Sequence, residues 1–468
     1  MLDQLVSTLK SFNERDGVEY LVNETKTRRV ESYNIKQQTE MNREIETTQL
    51  SLTLYVVFSE KDADGNEKKY RGSYNTFIHP GTSEDELKDI ISQGVYAAGF
   101  VKNAYYPLVS PTRSYPALPK CIDTNQALDE LQSAFFASDN HEKGHISYSE
   151  FFIARKDVRI VNSSGVDVSY TTHDVFIETA VHMPTGFGAK TGDNNGGGNI
   201  GSDKAEIEVS ESYRFSLDDI PTAVAMLKAR VAELFLVAEK KAAAKPTPSV
   251  GDINILLSGE CLSTFFSYYY YCANARLVYQ QLSTFKEGTQ VQGDGASDKV
   301  SDKVSDNVTM VLEPLMQGSS YSRPFDDHGQ PLVNHEIIKE GKLLKFWGDT
   351  RFASYLEIAP TGNISNVRIT GGTASDDELR KHPYLELVSF SDFQVDEITG
   401  DFGSEIRLGY FFDGEKTVPV TGGSISGNMA KVHGSLRMSA QEKQYDSYRG
   451  PGTVCLRGAS ISGVETAE

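Results

Sequence analysis

The segment "KKAAAKPTPSVGD", residues 240–252, divides the chain into two halves of different character. A chain of 468 residues exceeds the size of one typical hydrophobic core, so more than one domain is expected. In this segment alanine gives way to proline and small polar residues, a composition typical of a connection between folded units. We therefore predict a boundary near residue 245, with one domain at residues 1–244 and a second at residues 245–468.

The first half combines long strands with helices. The extended stretches "TTQLSLTLYVVFSE" and "KKYRGSYNTFIHP" flank the turn "KDADGNE", which predicts a β-hairpin. Ser83 and Glu86 form a capping-box pattern ahead of a helix, and a second helix is predicted with Thr124 as its cap. Strands turning at "NSSG" follow, and a long helix is predicted from about Pro221 to Ala244.

The second half is rich in short strands. A strand in "INILLSG" precedes one apolar helix within residues 259–280, and from Val308 onward short extended runs alternate with Gly and Asp turns. The segment "GDGASDKVSDKVSDNV" between them is polar and predicts a solvated surface insertion. The fold class is therefore predicted to be α+β. We expect two domains with mixed or antiparallel sheets, long helices in the N-terminal domain and a strand-rich C-terminal domain.

The composition limits the classes of partner. The formal net charge of −19 repels DNA and anionic membranes, so no direct nucleic-acid binding is expected. No run of 18 or more apolar residues could span a bilayer, and the N-terminus lacks the pattern of a signal peptide, so a cytoplasmic protein is expected. The four cysteines are scattered without a C-x-x-C pair, which is typical of a reducing compartment.

The stretch His141–Glu142–Lys143–Gly144–His145 has the His-Glu-x-x-His pattern of zinc peptidases. Zinc binding would need the two imidazoles one turn apart on a continuing helix. Polar residues precede the motif, Gly144 interrupts it, and strand formers follow His145 directly. We therefore predict a helix that ends around Ser138, a polar turn and a strand that begins near His145, an arrangement in which the imidazoles do not converge.

Three other patterns have ordinary structural interpretations. "GGGNIG", at residues 196–201, matches G-x-G-x-x-G but lacks the strand before it and the helix after it that a dinucleotide site needs. Cys261 and Cys272 lie three helical turns apart, which favours buried thiols over a shared metal. His328 and His335 stand in a strand-and-turn context that does not favour a metal pair.

The C-terminal half resembles the TldD/PmbA family, whose members include proteins called modulators of DNA gyrase. The resemblance is strongest from Arg323 onward, and the order and spacing of the motifs carry it. The matching positions in this sequence are Asp326, Asp327, Gly329, Glu340, Gly341, Leu343, Thr361, Gly362, Asn363, Thr399, Gly400, Asp401, Phe402, Ser426, Gly427 and Asn428. The N-terminal half also fits, through "VNSSGV" and the long helix before the boundary.

The resemblance implies two α+β domains, dimers and a peptidase that acts on peptides. Active family members hold zinc on a His-Glu-x-x-x-His helix early in the C-terminal domain. The corresponding helix of this chain must lie within residues 259–280, which contain no histidine. The resemblance therefore implies the TldE/PmbA-type subunit. We expect no zinc on this chain, and zinc only on a TldD-type partner in a heteromeric peptidase.

Two other functions remain open at the level of sequence. The chain could be a self-associating peptide-binding protein without catalysis, or a peptidase in its own right. Either a homodimer or a heterodimer is expected, with an unstructured peptide as substrate. No catalytic residue is assigned. Positions that could line a peptide groove are the family-motif residues Asp326, Asp327, Gly329, Thr361, Gly362, Asn363, Thr399, Gly400 and Asp401.

Overall fold

The computed structural model describes residues 1–111, 122–185, 206–251, 253–292 and 305–464. Its first half contains four helices and seven strands within these ranges. They are α1 (Leu2–Asp16), β1 (Glu19–Ile35), β2 (Gln38–Lys61), β3 (Glu67–Ile78), α2 (Glu84–Ala98), β4 (Asn103–Ala104), α3 (Thr124–Ala137), β5 (His145–Asn162), β6 (Asp167–Pro184), β7 (Glu206–Ser216) and α4 (Ile220–Ala242).

These seven strands form one antiparallel sheet in the order β4-β3-β2-β1-β5-β6-β7. Apolar residues alternate along its strands, so each face buries its own set of side chains. Helices α1 and α2 cover β1 to β3 around Leu52 and Ile91, whereas α3 and α4 cover β5 to β7 around Phe151 and Leu227. On the other face, Ile160 packs with Phe325 of the second half. The sheet is therefore the common support of both halves.

Most elements predicted in the first half are confirmed, with small shifts at their ends. The hairpin pairs β2 with β3 antiparallel, and Ser83 and Glu86 form the reciprocal bonds of a capping box. The second helix is capped by Asp123 rather than Thr124, because the Asp123 carboxylate accepts two backbone N–H groups of the first turn. The long helix begins one residue before Pro221, since Asp219 caps it.

The second half is rich in short strands. Its elements are β8 (Lys245–Pro246), β9 (Asn254–Ser258), α5 (Cys261–Cys272), α6 (Ala275–Tyr279), β10 (Thr309–Leu312), β11 (His335–Lys339), β12 (Lys342–Leu343), α7 (Thr350–Tyr355), β13 (Val367–Thr370), α8 (Asp376–Leu379), β14 (Tyr384–Phe390), β15 (Gln394–Val395), β16 (Asp401–Phe412), β17 (Thr417–Thr421), β18 (Ser424–Asn428), α9 (Met429–Val432), a 3-10 turn (His433–Ser435), β19 (Arg437–Met438), β20 (Glu442–Tyr445), β21 (Tyr448–Pro451), β22 (Thr453–Leu456) and β23 (Ser460–Ser462).

The strands of the second half form two mixed sheets. One has six strands in the order β12-β11-β10-β13-β21-β20. The other follows β19-β22-β9-β14-β16-β17-β8, with β15 and β18 also paired to β16 and β23 paired to β18. Most pairs are antiparallel, but β9 runs parallel to β14 and β13 runs parallel to β21. The predicted α+β class and strand-rich second half are confirmed.

The apolar helix predicted within residues 259–280 is in fact two helices. Helix α5 ends at Cys272, and the side chain of Asn274 caps α6 by accepting the N–H of Arg276. Residues 273–275 turn away because their backbone bonds to Trp347 in both directions, with N···O distances of 3.1 and 2.8 Å. A single continuous helix was therefore a wrong prediction. None of the described helices is long and apolar enough to cross a membrane.

Helix α4 offers a direct test of the packing. Leu227 is fully buried in the core under β6 and β7, whereas Leu236 on the same helix is 51% exposed. We expect Leu227→Ala to lower the free energy of unfolding by about 2–5 kcal/mol, because a cavity forms in a well-packed core. Leu236→Ala makes the same chemical change at the surface and should cost within about 0.5 kcal/mol. Chemical denaturation of both variants checks this, and equal losses would contradict the placement of the helix.

Candidate functional site

A large cleft lies between the last strand of the first sheet and the second half of the chain. Its volume is about 1420 Å³. Strand β7 and helix α4 form one wall, from Glu208 to Lys241. The opposite wall combines the start of α5 with β14 and the turn between β20 and β21. This volume exceeds the range of about 300–1,000 Å³ that is usual for small-molecule pockets.

Only the first turn of α5 reaches this cleft. Glu260, Cys261, Ser263 and Thr264 line it. Of the aromatic side chains that follow, Phe265, Phe266 and Tyr269 are buried in the core, whereas Tyr271 is 43% exposed outside the cleft. The helix follows directly from β9, and Gly259 makes the connection with φ of +90°, a conformation that glycine adopts without strain. Any chemistry that α5 contributes to the cleft must therefore come from its first turn.

Two ionisable groups stand at this turn. Partial desolvation in the cleft raises the pKa of the Glu260 carboxyl, and the negative charge of Asp446 raises it further, although the side chain is exposed to the cleft. Cys261 is buried, and its thiol donates to the carbonyl oxygen of Ser258 at 3.4 Å. Burial also raises the pKa of this thiol, so it remains neutral at ordinary pH. The turn thus offers one carboxyl group and one inward-facing neutral thiol.

Further carboxylates from three other elements surround Glu260. Glu211 extends from β7, Glu233 from α4, and Asp446 from the turn after β20. Partial desolvation between the walls of the cleft raises the pKa of Glu211 to about 7, with a second contribution from the charge of Glu260, although the side chain itself is exposed to the cleft. Burial likewise raises the pKa of Asp446, although its carboxylate accepts the N–H and Oγ–H of Ser320 at 2.7 and 2.8 Å. We call Glu211, Glu233, Glu260 and Asp446 the carboxylate cluster.

Arg230 is one of the basic residues that line the cleft together with the carboxylate cluster. Its Nη2 donates to the carbonyl oxygen of Gln444 at 3.3 Å, and its guanidinium lies 5.3 Å from the centre of the Tyr445 ring. Its charge lowers the pKa of both Glu211 and Glu260, which shows that it lies near them. Within the described residues, however, no Lys or Arg nitrogen lies within 4.0 Å of any of the four carboxylates.

The residues at the start of α5 do not fit the zinc that the family resemblance implies. Zinc in peptidases is held by imidazole and carboxylate groups with one position left open. The part of α5 that faces the cleft offers Glu260 but no imidazole, and the Cys261 thiol is bonded to a carbonyl oxygen. In the described ranges, no group of three or more His, Cys, Asp or Glu side chains has a geometry that could hold a metal ion.

The structure around the His-Glu-x-x-His stretch is the one predicted from the flanking residues. Helix α3 ends at Ala137, and β5 begins at His145. The His141 ring stacks on Phe235 at 5.1 Å, and its Nδ1 accepts the N–H of Gly144 at 3.1 Å. The His145 ring meets His182 edge-on at 5.4 Å. The predicted turn and strand are confirmed, and the two imidazoles have different neighbours.

The family-motif positions form two separate sets. In the first set, the Asp326 side chain is fully buried and accepts the N–H groups of His328, Gln330 and Asn363 at 2.9 to 3.2 Å. Gly362 has φ of +75°, and a Cβ there would lie 2.4 Å from Leu332. Asp326 thus fastens the loops at 326–330 and 361–363 together.

The other members of this first set also make loop contacts. Asp327 pairs with Arg323 at 2.7 Å, and its carbonyl oxygen accepts from Asn23 of β1. Gly329 has φ of +81° and lies against Val166, and the Thr361 hydroxyl accepts the N–H of Gly348 at 3.0 Å. The contacts with Asn23 and Val166 join the second half of the chain to the first.

The second set lies in the turn before β16. Asn428 donates to the carbonyl oxygen of Thr399 at 3.0 Å and to the carboxylate of Asp401 at 2.7 Å. Gly400 has φ of +75° and packs against Tyr268. None of the nine positions predicted for a peptide groove lines the cleft described above. Their role in peptide binding stays a prediction.

The other positions named in the sequence analysis lie outside the described residues or in ordinary structural contexts. "GGGNIG", residues 293–304 of the Ser-Asp repeat and Cys121 lie outside the described residues. Cys261 and Cys272 are free, buried and at opposite ends of α5. The backbone N–H of His328 binds Asp326, whereas His335 begins β11.

The second half of the chain matches a family model of known proteins. A family model described as the PmbA/TldA metallopeptidase C-terminal domain matches residues 250–463. This match takes in β9, the cleft-facing start of α5 and the two mixed sheets. The second half of the chain is thereby identified as a C-terminal domain of the TldD/PmbA family. No curated protein matches the sequence.

Solved structures show the same fold over the whole chain. Two are candidate modulators of DNA gyrase, from Thermotoga maritima and Bacteroides thetaiotaomicron, each 17% identical, with TM-scores of 0.74 and 0.70. Each match covers 99% of this chain. It covers 100% of the Thermotoga chain and 99% of the Bacteroides chain. TldE from Thermococcus kodakarensis is 13% identical with a TM-score of 0.72, and the match covers 98% of this chain and 99% of that one. The TldD/PmbA fold thus extends over both halves.

Sequence reasoning missed most of the carboxylate cluster. Glu260 falls within residues 259–280, the stretch that corresponds to the family's zinc-binding helix, but no pattern there marks it as part of a cluster. Glu211, Glu233 and Asp446 are ordinary acidic residues of a strand, a helix and a turn, and no motif marks them. Their proximity depends on how β7 and α4 face the second half, which is set by tertiary packing.

Substitutions in the first set of family-motif residues test whether Asp326 holds its two loops together. Asp326→Ala would leave three backbone N–H groups without their acceptor, and leaving buried donors unsatisfied costs about 1–3 kcal/mol each. We expect Asp326→Ala to lower the thermal unfolding temperature markedly. Asp327→Ala removes an exposed ion pair and should have a small effect, because such pairs contribute about 0–1 kcal/mol. If both variants unfold like the wild type, Asp326 does not fasten these loops.

Proposed function

We propose that this chain is the non-catalytic, TldE/PmbA-like subunit of a heteromeric zinc peptidase that acts on unstructured peptides in the cytoplasm. In this proposal the zinc belongs to a TldD-type partner, and this chain supplies a peptide-binding cleft. The family match supports a metallopeptidase-related protein. The observation that carries the finer assignment is the chemistry at the start of α5.

A zinc peptidase must hold its metal with an open position and activate water there. The first turn of α5 is the part of that helix which faces the cleft, and it presents Glu260, Cys261, Ser263 and Thr264. Neutral imidazole is the ligand on which this chemistry relies, and the turn provides none. The Cys261 thiol is buried and protonated, so it does not replace an imidazole.

The cleft nevertheless has features suited to a peptide. Strand β7 is the last strand of its sheet in the described part of the chain, and residues 208–216 all line the cleft. A strand with one neighbour offers free backbone N–H and C=O groups along its other edge. An extended peptide can add to such an edge through main-chain hydrogen bonds, whatever its sequence. The N–H of Ser216 is already taken by Gly318, so the open stretch lies toward Glu208.

A peptide-cleavage assay tests this proposal. We expect the isolated chain to leave unstructured peptides intact, even with added zinc, because its described residues provide no metal site. A TldD-type family member from the same cell should cleave the same peptides faster when this chain is added. Chelator should abolish the cleavage by the mixture.

Two outcomes would contradict the proposal. Chelator-sensitive cleavage by this chain alone would identify it as a peptidase in its own right, and His141→Ala and Glu260→Ala would then show which site is responsible. Peptide binding without any effect on a TldD-type protein would favour a self-associating peptide-binding protein, and sedimentation of the chain alone would show its oligomeric state.

A further inference from the structure

We propose that the free edge of β2, residues 38–49, binds an extended segment of a partner protein in which basic and apolar residues alternate. In this proposal the segment joins the first sheet as a further strand, in line with β3. None of residues 38–49 lines the cleft, whose strand β7 forms the opposite edge of the sheet. The inference therefore does not rest on the proposed function.

Strand β2 is twice as long as the strand that covers it, with 24 residues against the 12 of β3. Strand β3 ends at Ile78, opposite Leu50, so it covers only the second half of β2. In the described part of the chain, residues 38–49 pair with β1 alone, and all of them except Ile45 are exposed. A strand with one neighbour leaves N–H and C=O groups unpaired along its other side, so this edge can bond to a second extended backbone.

The edge is regular enough to accept a strand. From Met41 to Gln49 the register with β1 runs without a shift, and the bulge of this pair lies nearer the hairpin turn, at Tyr33 and Asn34. Proteins commonly block an exposed edge with bulges, prolines or lysines. Residues 41–49 contain neither proline nor lysine, and no glycine. An extended polypeptide is therefore the kind of partner that this edge fits.

The two faces of the edge carry different side chains. Successive side chains of a strand point to opposite faces, so Met41 and Ile45 lie on one face, and Glu44 and Glu46 lie on the other. Met41 is 46% exposed, and Ile35 at the adjoining hairpin turn is 58% exposed. An added strand thus meets apolar side chains on one face and carboxylates on the other. A segment that alternates apolar and basic residues matches both faces.

The carboxylates of this edge outnumber the cations near them. The edge carries three glutamates and one arginine. That arginine, Arg43, pairs with the buried Glu31 of β1 and not with a glutamate of the edge. Arg28 of β1 pairs with Glu44 and lies 4.0 Å from Glu46, so one guanidinium serves two carboxylates. Lysine or arginine on an added strand would supply the missing positive charge.

Helix α3 adds negative charge on the face of Glu44. Val30, which lies opposite Glu44, belongs to the hydrophobic core that α3 covers. The helix carries Asp129 and Glu130 and no basic residue. A second copy of this chain would bring a like-charged edge against this one, and the whole chain has a formal net charge of −19. Charge complementarity therefore selects a basic segment of a different protein.

Titration calorimetry of the full chain with synthetic peptides tests the proposal. The probe is an end-blocked peptide as long as residues 41–49 that alternates Lys and Val. One control alternates Glu and Val. The other repeats the Lys–Val sequence with every backbone nitrogen methylated, which keeps the charge and removes the hydrogen-bond donors. We expect the Lys–Val peptide to bind at least tenfold more tightly than either control.

Charge reversal on β2 locates the binding site. Glu44→Lys with Glu46→Lys should reverse the preference, so that the Glu–Val peptide binds more tightly than the Lys–Val peptide. Glu14→Lys with Asp89→Lys makes the same change of net charge at exposed positions of α1 and α2, and it should keep the preference of the wild type. Circular dichroism confirms that each variant is folded, and Glu44→Gln with Glu46→Gln, a milder change, should abolish the preference.

Several outcomes would overturn the proposal. Absence of binding, or equal binding of the Lys–Val peptide and either control, would show that the edge does not select a basic strand. Binding that neither double change at Glu44 and Glu46 alters would belong to another site, such as the cleft, and would leave the proposed function in place. A dimer in sedimentation that excess Lys–Val peptide dissociates would assign the edge to a second copy of the chain.

Discussion

The burial of α5 is the constraint on which the rest of the second half depends. Phe265, Phe266 and Tyr269 fill the space between the two mixed sheets, and each is at most 1% exposed. Of this helix, only the first turn lines the cleft, whereas Tyr271 near its end is exposed elsewhere. The connection through Gly259 directs that turn into the cleft. The chemistry of the cleft is therefore decided by a few residues that follow one buried strand.

In the function proposed above, those residues serve to bind a peptide and not to hold a metal. A carboxyl group and a neutral thiol stand where a zinc peptidase needs imidazoles. Carboxylates from β7, α4 and the turn after β20 add negative charge around them.

Much of the fold could be predicted from sequence, because local signals and tertiary structure agree. The β2–β3 hairpin, the capping box at Ser83 and the start of β5 at His145 all depend on nearby residues. The break between α5 and α6 could not be predicted, since Trp347, more than 70 residues away, pairs with the backbone around Asn274. The carboxylate cluster was missed for the same reason: sequence does not show which surfaces of β7 and α4 face the second half.

The zinc content of this chain tests the central claim most directly. The chain is purified without chelator from cells at native levels, dialysed against micromolar zinc and then against buffer, and analysed by plasma emission spectroscopy. The account predicts no stoichiometric zinc in the wild type, because α5 offers no imidazole to the cleft and His141 and His145 have separate neighbours. One zinc per chain, lost in Glu260→Ala or in His141→Ala, would contradict it.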